Sequence, residues 1–267
     1  MARIAVAATA PFGADVLERL ANRHEIVTLL TRPDAPRGRG RRVAPSPAKA
    51  AAERHGIAVL QPARLTSDVC LDGRQVDAVV VAAYGLLIPG ALLERGLWLN
   101  VHPSLLPRWR GAAPVERAIM AGDTETGVTI HRTVKELDAG PIAAQERFAI
   151  GEDDDAGVVF AHAAELAARL LDGVLVAPAF KPQSDDGVTY AEKITAADRE
   201  LDWSQPPREL HNRVRALSPH IGARGFVEGR RVLVWRTRVV DGELELLELQ
   251  PEGKRRMTYE EFKRGLR

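Results

Sequence analysis

Asp77-Ala78-Val79-Val80-Val81-Ala82-Ala83 is the stretch that decides the fold. After its first residue it is apolar without a break. It is too short for a helix of ordinary length and its middle is β-branched, so it predicts a strand buried on both faces. Strands of that kind sit at the centre of parallel sheets whose two faces are covered by helices. The flanking sequence supplies such neighbours. Towards the N-terminus, Arg3 to Ala8 and Glu25 to Leu30 predict strands, with helical spacing from Ala14 to Asn22 between them. Pro47 to His55 predicts a helix, with Ser46 as its cap, proline at its first position and Gly56 closing it. Ile57 to Leu60 is again strand-like.

In the other direction, Leu97 to His102 predicts the next strand and Val115 to Ala121 a short helix ended by Gly122. Gly127 to Val134 and Ile142 to Ile150 predict two later strands. Glu152-Asp153-Asp154-Asp155 opens a long alanine-rich helix ending near Leu171-Asp172-Gly173, its acids suiting the positive end of a helix dipole. This alternation predicts a doubly wound, mostly parallel α/β domain. Ligands in such sheets bind beyond the carboxyl ends of the strands, where strand order reverses.

From Lys181 to Gly187 the pattern gives way to a polar linker. Beyond it, Pro207 to Leu217 predicts one helix, and Gly225 to Glu228, Val232 to Val240 and Leu244 to Leu249 predict strands. The expected division is a catalytic domain over 1–180, a linker over 181–196 and a small β-rich domain over 197–267.

Composition narrows the possibilities. The 267 residues are 45% hydrophobic and 27% charged, so a sizeable core is expected and wholesale disorder is not. A net charge of +1 says nothing about partners by itself. Cys70 is the single cysteine, which excludes an internal disulfide and any multi-cysteine metal or iron–sulfur site. The apolar run at the N-terminus breaks at Pro11 and reads as a first strand, not a signal peptide. No stretch approaches the roughly 18 apolar residues of a membrane span, so a cytoplasmic protein without membrane contact is expected.

Asn100-Val101-His102 ends the predicted strand from Leu97, and a period-two strand places both polar side chains on one face. An amide that donates at any pH and an imidazole that titrates near about 6.5 suit acyl transfer, where an oxyanion develops. By themselves the two fit equally a strand terminus and a satisfied structural histidine. Asp138, in Glu136-Leu137-Asp138-Ala139-Gly140-Pro141, is a carboxylate at a turn between strands, where a solvating or capping role is the ordinary one. The loop after the buried strand, Ala83-Tyr84-Gly85-Leu86-Leu87-Ile88-Pro89, would lie at the switch crevice. Arg32, Arg37, Arg39, Arg41 and Arg42, threaded with Gly and Pro, make a cationic loop that suits either plain solvation or phosphate contact.

Pro103-Ser104-Leu105-Leu106-Pro107 and Arg108-Trp109-Arg110-Gly111-Ala112-Ala113-Pro114 follow the Asn100/His102 pair directly. Together with Thr126-Gly127-Val128-Thr129 and Leu137-Asp138-Ala139-Gly140-Pro141, this wording resembles the signature of folate-dependent formyltransferases. The arginine-rich loop resembles an insertion carried by the branch of that family that acts on methionyl-tRNA. The resemblance implies a Rossmann-like formyltransferase domain and an OB-like C-terminal domain that binds tRNA and is here shorter than the family pattern. It implies a transferase that moves the formyl group of 10-formyltetrahydrofolate, a co-substrate, to the α-amino group of initiator methionyl-tRNA in translation initiation, without a metal.

By the same resemblance Asn100 holds the oxyanion, His102 donates to it and relays a proton, and Asp138 orients His102 and accepts charge, with a water between them carrying the amine's proton. The folate donor is expected at Tyr84, Gly85, Leu86, Leu87, Ser104, Leu105, Leu106, Pro107, Leu137 and Gly140. Arg37, Arg39, Arg41 and Arg42 are expected to meet the tRNA acceptor end, and a monomer is expected. Two rival readings remain: a sugar-nucleotide N-formyltransferase with the same donor site, and a non-catalytic RNA-binding relative.

Overall fold

The computed structural model describes residues 1–37, 42–66 and 75–266, so Arg39, Arg41 and Cys70 lie outside the described residues. In chain order the elements begin with β1 (Arg3–Ala8), α1 (Pro11–Ala21), β2 (Glu25–Leu30), β3 (Ala35–Arg37), β4 (Arg42–Ala44), α2 (Pro47–Arg54) and β5 (Val59–Leu60). Then come β6 (Ala78–Ala82), α3 (Gly90–Leu93), β7 (Trp98–His102), β8 (Arg110–Gly111), α4 (Pro114–Met120), β9 (Glu125–Arg132), β10 (Ile142–Ala149) and α5 (Ala156–Val176). The chain ends with β11 (Tyr190–Ala191), a 3₁₀ turn (Ala197–Arg199), α6 (Pro207–Leu217), β12 (Ala223–Val227), β13 (Arg230–Val240), β14 (Glu243–Pro251), β15 (Met257–Thr258) and α7 (Tyr259–Arg264). Two compact units result. The first is built from 1–110, 127–147 and 161–189, the second from 111–126, 148–160 and 190–267.

The first unit carries a seven-stranded sheet in the order β10-β9-β7-β6-β1-β2-β5. Pairings β1–β2, β1–β6, β2–β5 and β6–β7 are parallel, and β7–β9 is antiparallel. All five residues of β6 are buried, as an uninterrupted apolar run requires. Burying each of its valines contributes about 1.5–3 kcal/mol. From β1 the chain winds outward one way through β2 and β5 and the other way through β6 and β7, so strand order reverses between β1 and β6. At that reversal the first turn of α1 lies against β6. A Cβ on Gly13 would stand 2.3 Å from the Ala82 carbonyl oxygen, so only glycine fits. Helix α2 begins as its sequence predicts, with Pro47 in the first turn and the Ser46 hydroxyl accepting from the Lys49 N–H at 3.0 Å.

The second unit is an antiparallel sheet in the linear order β12-β13-β14-β15, with α6 packed on β13. Its core gathers Leu210, Val214 and Leu217 of α6 with Val232, Val234, Leu249 and Phe262. Glu228-Gly229 and Asp241-Gly242 all have positive φ (+50°, +71°, +50° and +82°), the conformation of tight hairpin turns whose twist matches the flanking strands. The second turn joins β13 directly to β14.

Several details go beyond the sequence reading. The short elements β3, β4, α3, β8, β11, β15 and α7 are additional, α7 being started by a capping box between Thr258 and Glu261. Helix α5 runs through Gly173 to Val176. At its start Glu152 to Asp154 lie outside the helix, and the Asp155 carboxylate accepts the Val158 N–H at 3.0 Å. Among the described residues no helix is long and apolar enough to cross a membrane.

Candidate active site

On β7 the two-residue repeat turns Asn100 and His102 to one face, and the antiparallel neighbour decides what they meet. The β7–β9 register sets Asn100 opposite His131 and His102 opposite Thr129. Asp138 arrives from the loop after β9, with φ +47°, a left-handed backbone that costs a non-glycine residue about 1–3 kcal/mol. Gly140 makes the tight return possible, since a Cβ there would lie 1.8 Å from the Arg132 carbonyl oxygen. The Asp138 side chain is 11% exposed and those of His102 and His131 only 5% and 1%, so these groups form a polar pocket at the rim of an apolar core.

The hydrogen bonds define the state of each group. Asn100 Nδ2 donates to Asp138 Oδ1 at 3.0 Å and meets His131 Nε2 at 3.1 Å. His131 Nδ1 lies 3.1 Å from the Arg132 carbonyl, which can only accept, so the hydrogen sits on Nδ1 and Nε2 is free to accept from the amide. Both hydrogens of the Asn100 amide are therefore committed. His102 Nε2 lies 2.8 Å from the Trp109 carbonyl, which by the same reasoning places its hydrogen on Nε2. Its Nδ1 lone pair faces Asp138 Oδ2 at 3.7 Å, too far for a hydrogen bond and too near for a water on the line between them. Burial holds the His102 pKa below the ordinary imidazole value. The Asp138 charge and the Trp109 carbonyl oppose that shift, and His131 adds to it. A neutral imidazole beside a carboxylate, with one lone pair open, is a proton acceptor in waiting.

The wall behind this pocket is rigid. Thr129 Oγ1 donates to the Ser104 carbonyl (2.7 Å) while accepting the Leu106 N–H (3.1 Å) and Gln145 Nε2 (2.8 Å). The Ser104 hydroxyl closes the turn onto the Arg108 carbonyl at 2.7 Å. Trp109, at φ +63°, is pinned by its N–H to Thr189 Oγ1 at 2.8 Å, which fixes the carbonyl that holds His102.

Comparison with known proteins gives the family. The formyl transferase family model matches residues 2–175, and the formyl transferase C-terminal domain model matches residues 193–245. A methionyl-tRNA formyltransferase of Xanthomonas euvesicatoria is 47% identical over 242 residues, covering 86% of this chain and 78% of that protein. The chain belongs to the formyl transferase family. Among solved structures, an N-formyltransferase of Helicobacter canadensis in complex with folinic acid and dTDP-3-aminofucose superposes with a TM-score of 0.66 at 15% identity, over 90% of this chain and 89% of that one. The methionyl-tRNA formyltransferase of Clostridium thermocellum does so with 0.65 at 13% identity, over 94% and 99%. At those identities the likeness is one of fold.

The residues expected at the family's folate site fall into two groups. Tyr84, Ser104 and Leu106 are buried, and Tyr84 packs among Ala5, Ala7, Val79 and Val81 with its hydroxyl unpartnered. Burial raises that hydroxyl's pKa to about 12. These three residues build walls. Leu87 and Leu137 are 86% and 61% exposed, Gly85 is exposed at φ +76°, and Leu86, Leu105 and Pro107 are half-buried. Gly140 is buried in the turn beside Asp138. Of the arginines, Arg42 is exposed on β4, which pairs antiparallel with β3 in a ribbon whose backbone register sets position 37 against position 42. That ribbon has a firm base: Lys49 Nζ donates to Asp34 (2.8 Å) and Gln61 (2.9 Å), and Gln61 Nε2 donates to Asp34 (2.7 Å) and the Arg32 carbonyl (3.0 Å).

Sequence reasoning missed His131, Thr129 and Gln145. Alternation along the predicted strand from Gly127 places Thr129 and His131 on one face, and Thr129 closes a signature segment; Gln145, on the following strand, had no such signal. Which strand Thr129 and His131 faced depended on an antiparallel pairing that no local pattern specifies.

Proposed function

We propose that this protein transfers the formyl group of 10-formyltetrahydrofolate to the α-amino group of initiator methionyl-tRNA, as a cytoplasmic monomer in translation initiation. The observation that carries this reading is the convergence of Asn100, His102 and Asp138 from two separate segments. The 47% identity to a methionyl-tRNA formyltransferase supports the choice of acceptor, as does the anchored arginine ribbon. The exposed apolar side chains of Leu87 and Leu137 leave both free to meet a flat pterin ring.

The nucleophile is the neutral amine. A free α-amino group titrates near 7.7–8.0, and an adjacent ester lowers that value, so much of it is neutral at physiological pH. As its nitrogen bonds to the formyl carbon, the carbonyl oxygen becomes an oxyanion and the nitrogen must lose a proton. Asn100 donates to the oxyanion by redirecting the hydrogen now on His131, because its bond to the Asp138 carboxylate is charge-assisted and the stronger of the two. The open Nδ1 of His102 takes the amine's proton. Burial has kept His102 neutral for that purpose, and Asp138 stabilises the imidazolium that forms. Return of the proton to the departing nitrogen of the donor completes the exchange as its carbon–nitrogen bond breaks.

The test is incubation with a labelled formyl donor and charged initiator tRNA, with a dTDP-amino sugar as competing acceptor. Label on the methionyl amine alone is expected; label on the sugar alone would establish the sugar reading, and none on either the non-catalytic one. Replacing Arg37, Arg39, Arg41 and Arg42 by alanine raises KM for tRNA and flattens its dependence on salt, each lost phosphate contact removing roughly 0.7–0.9 from the log–log slope. An unchanged KM and slope would remove the ribbon from the tRNA site.

A further inference from the structure

Gln183 belongs to the segment that sequence alone reads as a linker, yet it is half-buried between the exposed Pro182 and Ser184. Its Nε2 donates to the carbonyl oxygens of Asp138 at 2.7 Å and Gly140 at 2.8 Å, so both amide hydrogens grip the turn that carries the Asp138 carboxylate. Its Oε1 accepts from Arg110 Nε (3.2 Å) and Nη2 (2.7 Å), a fork that fixes which way the amide faces. The main chain is held as well, since Ile142 and Lys181 exchange both backbone hydrogen bonds, at 2.7 and 2.9 Å. A left-handed residue persists only where its surroundings over-determine it, and here the two carbonyls flanking Ala139 are tied down by one side chain.

We propose that Gln183 is a positioning residue for the transfer. It fixes the Asp138–Gly140 peptide groups, and through them the direction of the Asp138 Cα–Cβ bond. The carboxylate then reaches Asn100 and stands opposite His102 Nδ1. Arg110 is the anchor that keeps the Gln183 donors aimed inward. This inference rests on the reading of Asp138 as the carboxylate that stabilises the charge formed on His102. If the turn relaxes, the carboxylate moves by a fraction of its own size, and displacements near 1 Å in such sites cost on the order of 10²-fold in rate.

The experiment is a double-mutant cycle between Gln183→Ala and Asp138→Asn, with kcat and both KM values measured. Q183A is expected to lower kcat about 10–100-fold while each KM stays within about twofold. In the D138N background Q183A is expected to cost no more than about twofold, because nothing remains to be positioned. Gln183→Glu keeps the Arg110 contact but sets an anion against two carbonyls, so it should match Q183A, and it takes that variant's place should Q183A not fold. The proposal is overturned by a wild-type kcat in both variants, by a loss confined to KM, or by an equal loss with and without the Asp138 carboxylate. Full turnover in D138N alone would instead sink the catalytic reading of Asp138, and so the two failures are told apart.

Discussion

His102 in the first unit and His211 in the second are the same residue type in nearly the same degree of burial, 4% and 2% exposed. Each has its pKa held below the ordinary value, with burial as the largest cause in both. They differ in what is left over. His211 Nδ1 meets the Thr237 hydroxyl at 2.9 Å and its Nε2 meets the Glu152 carbonyl at 3.0 Å, so every polar atom of the ring is bound. His102 is bound on Nε2 alone and keeps a lone pair facing a carboxylate. A depressed pKa, deep burial and a carboxylate nearby (Asp153 at 3.4 Å from His211 Nε2, Asp138 at 3.7 Å from His102 Nδ1) are therefore common to both rings; the unspent nitrogen is what sets His102 apart.

The largest effect that would break this contrast is on the His102 side. Asp138→Asn leaves the shape of the pocket but removes the charge, and kcat should fall by about 10²–10⁴-fold. A smaller loss would make His102 as inert as His211. The next test sharpens the other half. His211→Leu orphans the buried Thr237 hydroxyl and removes the partner of the Glu152 carbonyl, at a cost of about 1–3 kcal/mol. That should appear as a thermal midpoint several degrees lower, with kcat per folded molecule unchanged; loss of kcat in the folded variant would give His211 a part in turnover.

The smallest effect is the dependence on pH. Both folded-state pKa values lie below that of the unfolded chain, so the unfolded chain takes up protons first as pH falls. Stability from these two groups is thus complete above about pH 6.5 and is lost progressively below it, levelling off once the folded rings also titrate. The acid limb of kcat/KM should likewise lie below about 6.5, since the proposed mechanism uses the neutral His102 ring. In H211L the fall of the thermal midpoint with acid should be shallower while the kcat/KM limb stays in place. A limb above 6.5 would contradict the burial of His102.

Much of this was legible in the residues. The buried valine run named the sheet, and Pro207 to Leu217 is a helix with the expected bounds, because apolar periodicity and end signals are local. Asn100 and His102 shared a face for the same reason. Two other features were readable but easy to pass over: Thr258 and Glu261 spell a capping box, and Asp241-Gly242 spells a hairpin turn. The burial of Tyr84 was not legible, since a loop residue's direction is set by the cluster it falls into.

What the chain determined by itself was the longer strands and helices, their order, and which polar residues would stand at the strand ends, all consequences of interactions over a few residues. Which of those polar groups would meet was decided only by tertiary structure. The β7–β9 register delivered His131 to Asn100, and a left-handed turn held by Gln183 delivered Asp138 to His102. The physical reason is range. A hydrogen bond between residues 31 or 45 positions apart depends on strand pairing and loop closure, and neither leaves a mark in the local pattern of side chains.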